Sequence, residues 1–222
     1  MNAPRPWIKI CGVTTPEDAE LVVAAGADAL GVNLVPRSKR AVDLPTAQTI
    51  AKAVRGKIEL IGVVADRELE AVDALRRELG LDWLQLHGNE PPGMVARLQR
   101  AYKAIGISMP EDVTRARACP GERLLVDRKV GEREQLAGVL GGSGQRFDWT
   151  LVVELARARP IILAGGLTPD NVSLAIATVS PWGVDVASGV ESAKDPRRKD
   201  PELVKRFVER ARSAKRAVAI SG

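Results

Sequence analysis

Short apolar runs alternate along the chain with longer segments whose apolar positions recur at helical spacing. The runs that read as strands are Trp7 to Ile10, Ala29 to Leu34, Glu59 to Val64, Trp83 to Leu86, Lys103 to Ile107, Leu124 to Val126, Ile161 to Ala164 and Gly183 to Val186. The helical patterns are Pro16 to Ala25, Thr46 to Val54, Glu68 to Leu79, Pro91 to Arg100, Asp112 to Ala118, the shorter Trp149 to Ala156, Asn171 to Val179 and Pro201 to Ala214. Thr15 and Pro16 ahead of Glu17-Asp18 predict an N-cap followed by a first-turn proline, and Thr168-Pro169-Asp170 repeats that device.

Strands alternating with helices imply a parallel sheet covered by helices. Eight such units suit a closed (β/α)8 barrel of the α/β class better than an open sheet, which at this size carries about five or six strands. The 222 residues suffice for one large core, so residues 1–222 are expected to form a single domain. If the barrel closes, the residues leaving the strands at their C-terminal ends surround the active-site mouth.

Composition narrows the function classes. At 45% hydrophobic and 27% charged, the chain is an ordinary globular sequence. Its net charge of +5 is spread out, and the densest basic run, Arg197-Arg198-Lys199, is followed at once by Asp200. Without a long basic stripe or interleaved aromatics, a nucleic-acid partner is not expected. No stretch reaches the length of a signal peptide or a membrane span, so no membrane partner is expected either. Two cysteines cannot build a disulfide scaffold and favour a reducing, cytoplasmic setting, while a single histidine excludes a histidine-rich metal centre. No exposed apolar stripe chooses between monomer and dimer.

The chemistry then falls to the strand exits. Cys11, between a strand and Gly12, is either a buried structural thiol or a general base at the mouth, given nearby positive charge or amide donors. Asp127, at the end of the sixth strand, either pairs with Arg128 or Lys129 or serves as a general acid with a raised pKa. Gly165-Gly166 and Ser188-Gly189 follow the seventh and eighth strands, where barrels often hold phosphate on backbone amides, and Gly141-Gly142-Ser143-Gly144 is a third such segment. Arg37 and Arg40 lie beyond the second strand, and one of them could fork onto a carboxylate. Gln85 and His87 leave the fourth strand, where they could shape a pocket.

With these residues in order, the chain closely resembles the phosphoribosylanthranilate isomerase family of tryptophan biosynthesis. The resembling segments are Lys9 to Gly12, Gly26-Ala-Asp28 with Gly31, Ser38 to Arg40, Gln85 to Gly88, Gly141 to Gly144 with Phe147-Asp-Trp149, Ala164 to Leu167 with Asn171-Val172, and Asp185 to Glu191. They span nearly the whole chain in family order. The resemblance implies Cys11 as general base, Asp127 as general acid, Arg40 as the anchor of the anthranilate carboxylate, and Gly142, Ser143, Gly166, Ser188 and Gly189 around the phosphate. It implies a small anionic phosphosugar substrate, an Amadori rearrangement, and neither metal nor organic cofactor.

Three departures stand out. The connection from Asp127 to Gly141 is longer than is usual in the family. Asn33 replaces an aromatic or aliphatic residue, so it is a further pocket candidate. The glycine that usually precedes a Lys-Asp pair after Glu191 is missing, leaving Lys194-Asp195 and Lys199-Asp200 as competing matches.

Overall fold

The computed structural model describes residues 5–129 and 147–215. Eight parallel strands close on themselves in sequence order. They are β1 (Trp7–Cys11), β2 (Ala29–Asn33), β3 (Glu59–Val64), β4 (Trp83–Leu86), β5 (Ala101–Ile107), β6 (Leu124–Arg128), β7 (Ile161–Leu163) and β8 (Gly183–Val186). Closure occurs where β1 pairs with β8, in a register that sets Lys9 beside Asp185. The helices among the described residues are α1 (Pro16–Ala24), α2 (Leu44–Val54), α3 (Leu69–Leu79), α4 (Pro92–Arg97), α5 (Pro110–Ala118), α6 (Val153–Ala158), α7 (Val172–Val179) and α8 (Pro201–Ser213). This is the (β/α)8 barrel that the alternating pattern predicts. None of the described helices is long and apolar enough to cross a membrane.

Local chemistry sets the boundaries. The Thr15 side chain accepts a hydrogen bond from the Asp18 amide and Pro16 opens α1, as the sequence pattern implies. Thr168 does not repeat the device: α7 starts at Val172, and the Asn171 side chain instead accepts from the Thr168 amide while donating to the Gly166 carbonyl. Strand β5 begins two residues before the predicted Lys103, which brings the buried Tyr102 into the barrel wall.

Two apolar layers hold the barrel. Between strands and helices lies a continuous core that includes Ile8, Ile10, Leu30, Val64, Leu84, Ile176 and Phe207. Inside the barrel a smaller cluster of Ala29, Ile61, Trp83, Tyr102, Leu125 and Ile162 fills the lumen. Its floor is aromatic, with the Arg123 guanidinium 3.6 Å above the Trp83 ring and 4.7 Å from that of Trp182. Trp7 stacks at 5.1 Å on Trp182 and donates its indole hydrogen to Glu59. The arginine stem and the rings thus close the N-terminal end of the lumen, leaving the C-terminal end to carry polar residues.

Candidate active site

The mouth is built on side chains that point inward from successive strands. On β1, alternation puts Lys9 and Cys11 on the same face. Gly31 on β2 pairs with Cys11 and must be small: a methyl there would lie 2.9 Å from Cys11 Sγ and 3.3 Å from Lys9 Nζ. The fully buried Lys9 ammonium donates to Gln85 Oε1 and Asp185 Oδ2, each at 2.9 Å. Tyr102 donates its hydroxyl to the same Gln85 oxygen at 3.1 Å, and the Gln85 amide nitrogen is 3.1 Å from His87 Nδ1. A polar layer therefore spans the lumen just beneath the sulfur. Burial opposes the charge on Lys9, but the Asp185 carboxylate overrides it and raises the lysine pKa above its ordinary value.

Cys11 is 9% exposed. Burial pushes its thiol above the ordinary range, and Lys9 and Lys199 pull against that without reversing it. Asp127 leaves β6, three strands from β1 around the closed ring by way of β7 and β8. Its Oδ1 accepts from the Arg128 amide at 2.7 Å, and a methyl on Gly165 would come within 2.8 Å of that oxygen. The positive φ of Gly165, 84°, and its missing side chain let the β7 exit pass this close to the carboxylate. Burial is the main reason the Asp127 pKa is pushed up to about 6, with the Asp185 charge adding to it. Cys11 and Asp127 thus both sense the Lys9–Asp185 pair. A cavity of about 740 Å³ reaches Asp127 and His87 from the side of β4 to β6.

The two arginines after β2 separate clearly. Arg37 turns outward and pairs with Asp66 at 3.0 Å, with more than half its side chain exposed. Arg40 lies along the Gly12 turn, where φ is 72° and a methyl would collide with its Cδ. It is 7% exposed, its Nε donates to Glu191, and one terminal guanidinium nitrogen, Nη2, is buried without a hydrogen-bond partner among the described residues. Asn33 serves the loop that carries it, donating to Ser38 Oγ and accepting from the Val35 amide, while Ser38 Oγ accepts from the Arg40 amide. The Asn33 bonds are thus spent inside the β2 exit rather than in an open pocket.

Of the competing Lys-Asp pairs, Lys199-Asp200 belongs to the site. Lys199 is buried, donates to the Ala187 carbonyl at 3.1 Å and sits 3.9 Å from Glu191, whereas Lys194 and Asp195 are exposed. Burial holds the Lys199 pKa down to about 8. Burial would raise the Glu191 pKa, but Arg40, Lys199 and Lys39 together keep it below the ordinary carboxylate value. Asp200 caps α8 by accepting from the Glu202 and Leu203 amides.

At the exits of β7 and β8, Gly166 has a φ of 69°, and Ser188 and Gly189 form a short 3-10 turn. A side chain on Gly189 would run into the Leu167 carbonyl, so the loops after β7 and β8 touch through backbone. Gly142 and Ser143 lie outside the described residues. Lys9, Tyr102, Asp185, Glu191 and Lys199 join this arrangement without a role predicted from the sequence. A lysine inside an apolar run, Trp-Ile-Lys-Ile, and an aspartate inside Gly-Val-Asp-Val were the available signals.

Comparison with known proteins bears on the family and the fold. The family model described as N-(5'phosphoribosyl)anthranilate (PRA) isomerase matches residues 8–210. N-(5'-phosphoribosyl)anthranilate isomerase of Myxococcus xanthus is 42% identical over 93% of this chain and 96% of its own, and that of Afipia carboxidovorans is 39% identical over 93% and 89%. The crystal structure of phosphoribosyl anthranilate isomerase from Thermotoga maritima superposes with a TM-score of 0.83 at 36% identity, covering 93% of this chain and 98% of that one. A further structure of such an enzyme, at TM-score 0.80 and 33% identity over 93% and 98%, is a complex with reduced 1-(o-carboxyphenylamino)-1-deoxyribulose 5-phosphate. The chain therefore belongs to the N-(5'-phosphoribosyl)anthranilate isomerase family and is an isomerase.

Proposed function

We propose that this chain converts N-(5'-phosphoribosyl)anthranilate to 1-(2-carboxyphenylamino)-1-deoxyribulose 5-phosphate, with Asp127 as general acid and Cys11 as general base. The observation that carries the reading is the placement of a carboxyl with a pKa of about 6 and a thiol at the exits of β6 and β1, in one mouth. Asp127 gives its proton to the furanose ring oxygen as the C1–O bond breaks, and the nitrogen lone pair forms the C1 iminium. Cys11, as thiolate, takes the proton from C2. The C–H electron pair becomes the C1–C2 double bond and the iminium electrons return to nitrogen. The resulting enolamine tautomerises to the ketone by moving the O2 proton to C1. None of these steps calls for a cofactor, because proton transfer is all the chemistry requires.

Three features support the same substrate. The unpartnered Arg40 nitrogen suits the anthranilate carboxylate, given the preference of guanidinium for paired hydrogen bonds. Gly166, Ser188 and Gly189, with Gly142 and Ser143 assigned by resemblance, suit the phosphate. The ligand in the related complex carries both anionic groups. Purified protein supplied with freshly made N-(5'-phosphoribosyl)anthranilate should remove its fluorescence at an enzymatic rate. A rate equal to the uncatalysed background contradicts the reading.

A further inference from the structure

The proposed reaction needs a thiolate at Cys11, yet the sulfur is almost wholly enclosed, and enclosure by itself favours the neutral thiol. The wall must therefore hold a compensating charge. Lys9 is the nearest candidate in chain and space. It lies two residues back on the same face of β1, at zero exposure, and the place a methyl on Gly31 would take is crowded by the Lys9 side chain and the Cys11 sulfur together, each within 2.9 Å. No side chain on Gly31 separates the two. Asp185, set beside Lys9 by the β1–β8 register, holds the ammonium in place at 2.9 Å, and Gln85 takes a second hydrogen at the same distance.

A buried lysine–aspartate pair is a poor way to stabilise a barrel, since a well-packed apolar pair of similar volume often does as well or better. Its location under the sulfur gives it another use. We propose that Lys9 is a positioning residue for the base: its ammonium, kept charged by Asp185, stabilises the Cys11 thiolate over Gly31, where both side chains meet. This inference rests on the reading of Cys11 as the base and supplies what that reading lacks.

Other groups contribute to the field at the sulfur and fix the sign of the outcome. Asp185 on β8 opposes the thiolate, and Lys199 from the segment ahead of α8 favours it. Tyr102 on β5 is held neutral by burial. Asp127 on β6, Arg40 on the β2 exit and its partner Glu191 are further ionisable groups of the mouth among the described residues. Lys9 is the largest of the influences on the thiol that favour its ionised form.

The test measures the thiol directly, without substrate. In a Cys119→Ser background Cys11 is the remaining cysteine, and its rate of alkylation by iodoacetamide is followed against pH. Lys9→Met should slow alkylation near neutral pH by about tenfold or more and move the midpoint upward by about a unit, while Lys9→Arg should restore most of the rate. If Lys9→Met fails to fold, Lys9→Gln/Asp185→Asn, which keeps a neutral hydrogen-bonded pair, is read against Asp185→Asn for the same shift. An unmoved midpoint in the folded variant overturns the proposal, even in protein that isomerises normally. A moved midpoint upholds the Lys9–Cys11 coupling even if the parent chain with Lys9 intact turns over no N-(5'-phosphoribosyl)anthranilate, a result that contradicts the proposed reaction instead.

Discussion

The guanidinium of Arg40 is bound through Nε to the carboxylate of Glu191, 151 residues away in sequence, and leaves one buried terminal nitrogen unpaired. Glu191 thereby fixes the plane of the fork while leaving a donor for an incoming anion. Replacing Arg40 with Lys keeps the charge and loses that geometry, so KM should rise by about tenfold with a smaller change in kcat. A substrate analogue lacking the aromatic carboxylate should be handled almost equally by both forms. If Arg40→Lys impairs the analogue as much as the full substrate, Arg40 does not hold the carboxylate.

The pH dependence follows from two perturbed groups. Asp127 titrates at about 6, and Cys11 above the ordinary thiol range. Below about 6 both are protonated and the base is missing; above the thiol value both are ionised and the acid is missing. Between them the reactive form, with Asp127 protonated and Cys11 ionised, is the minor singly protonated state, present at a constant fraction. The profile of kcat/KM should rise through about 6, level off, and fall at alkaline pH. A phosphate monoester also titrates near 6. The comparison with Asp127→Glu separates the two, because a limb that moves belongs to the enzyme. A lower limb identical in both forms assigns it to the substrate.

Gly189 and Gly26 form a matched pair of tests. Alanine at Gly189 drives a methyl against the Leu167 carbonyl and forces the β7 and β8 exit loops apart; with the phosphate held there as proposed, it should loosen binding of inorganic phosphate and raise KM. At Gly26 nothing lies within 4 Å, but φ is 78°. Alanine there should cost about 1 kcal/mol of stability and leave KM unchanged. Equal KM values for the two variants would remove the β7–β8 loops from the phosphate site.

Arg123 sits at the opposite end of the lumen from the mouth. Replacing it with Ala opens a hole among Trp7, Trp83 and Trp182, and unfolding in urea should show a loss of about 2–4 kcal/mol. Because the floor is remote from Cys11 and Asp127, kcat/KM should stay within about twofold. A large loss of turnover at unchanged stability would mean that floor and mouth are coupled.

The strands were readable because most of them are nearly continuous apolar runs, and the exits of β1 and β6 were readable because Cys11 and Asp127 end such runs beside chemistry-bearing loops. Arg37 and Arg40 could not be separated along the chain. The difference lies in the Gly12 turn, which lets the Arg40 stem pass, and in Glu191, which arrives from the far end of the chain. Lys9 and Asp185 were hidden for a related reason. Each is one polar residue in an apolar strand, and only closure of β1 on β8 makes them partners across 176 positions. Thr168-Pro169-Asp170 carries a capping signature, yet Asn171 takes the bonds because the Gly166 carbonyl is within its reach.

Turnover of N-(5'-phosphoribosyl)anthranilate by Cys11→Ala, Asp127→Asn and the double variant tests most directly whether these two side chains work on one substrate. Each single change should lower kcat by about a hundredfold or more with KM much less affected, and the double change should cost far less than the product of the two. Near-normal kcat in either single variant, or losses that simply multiply, would contradict the account.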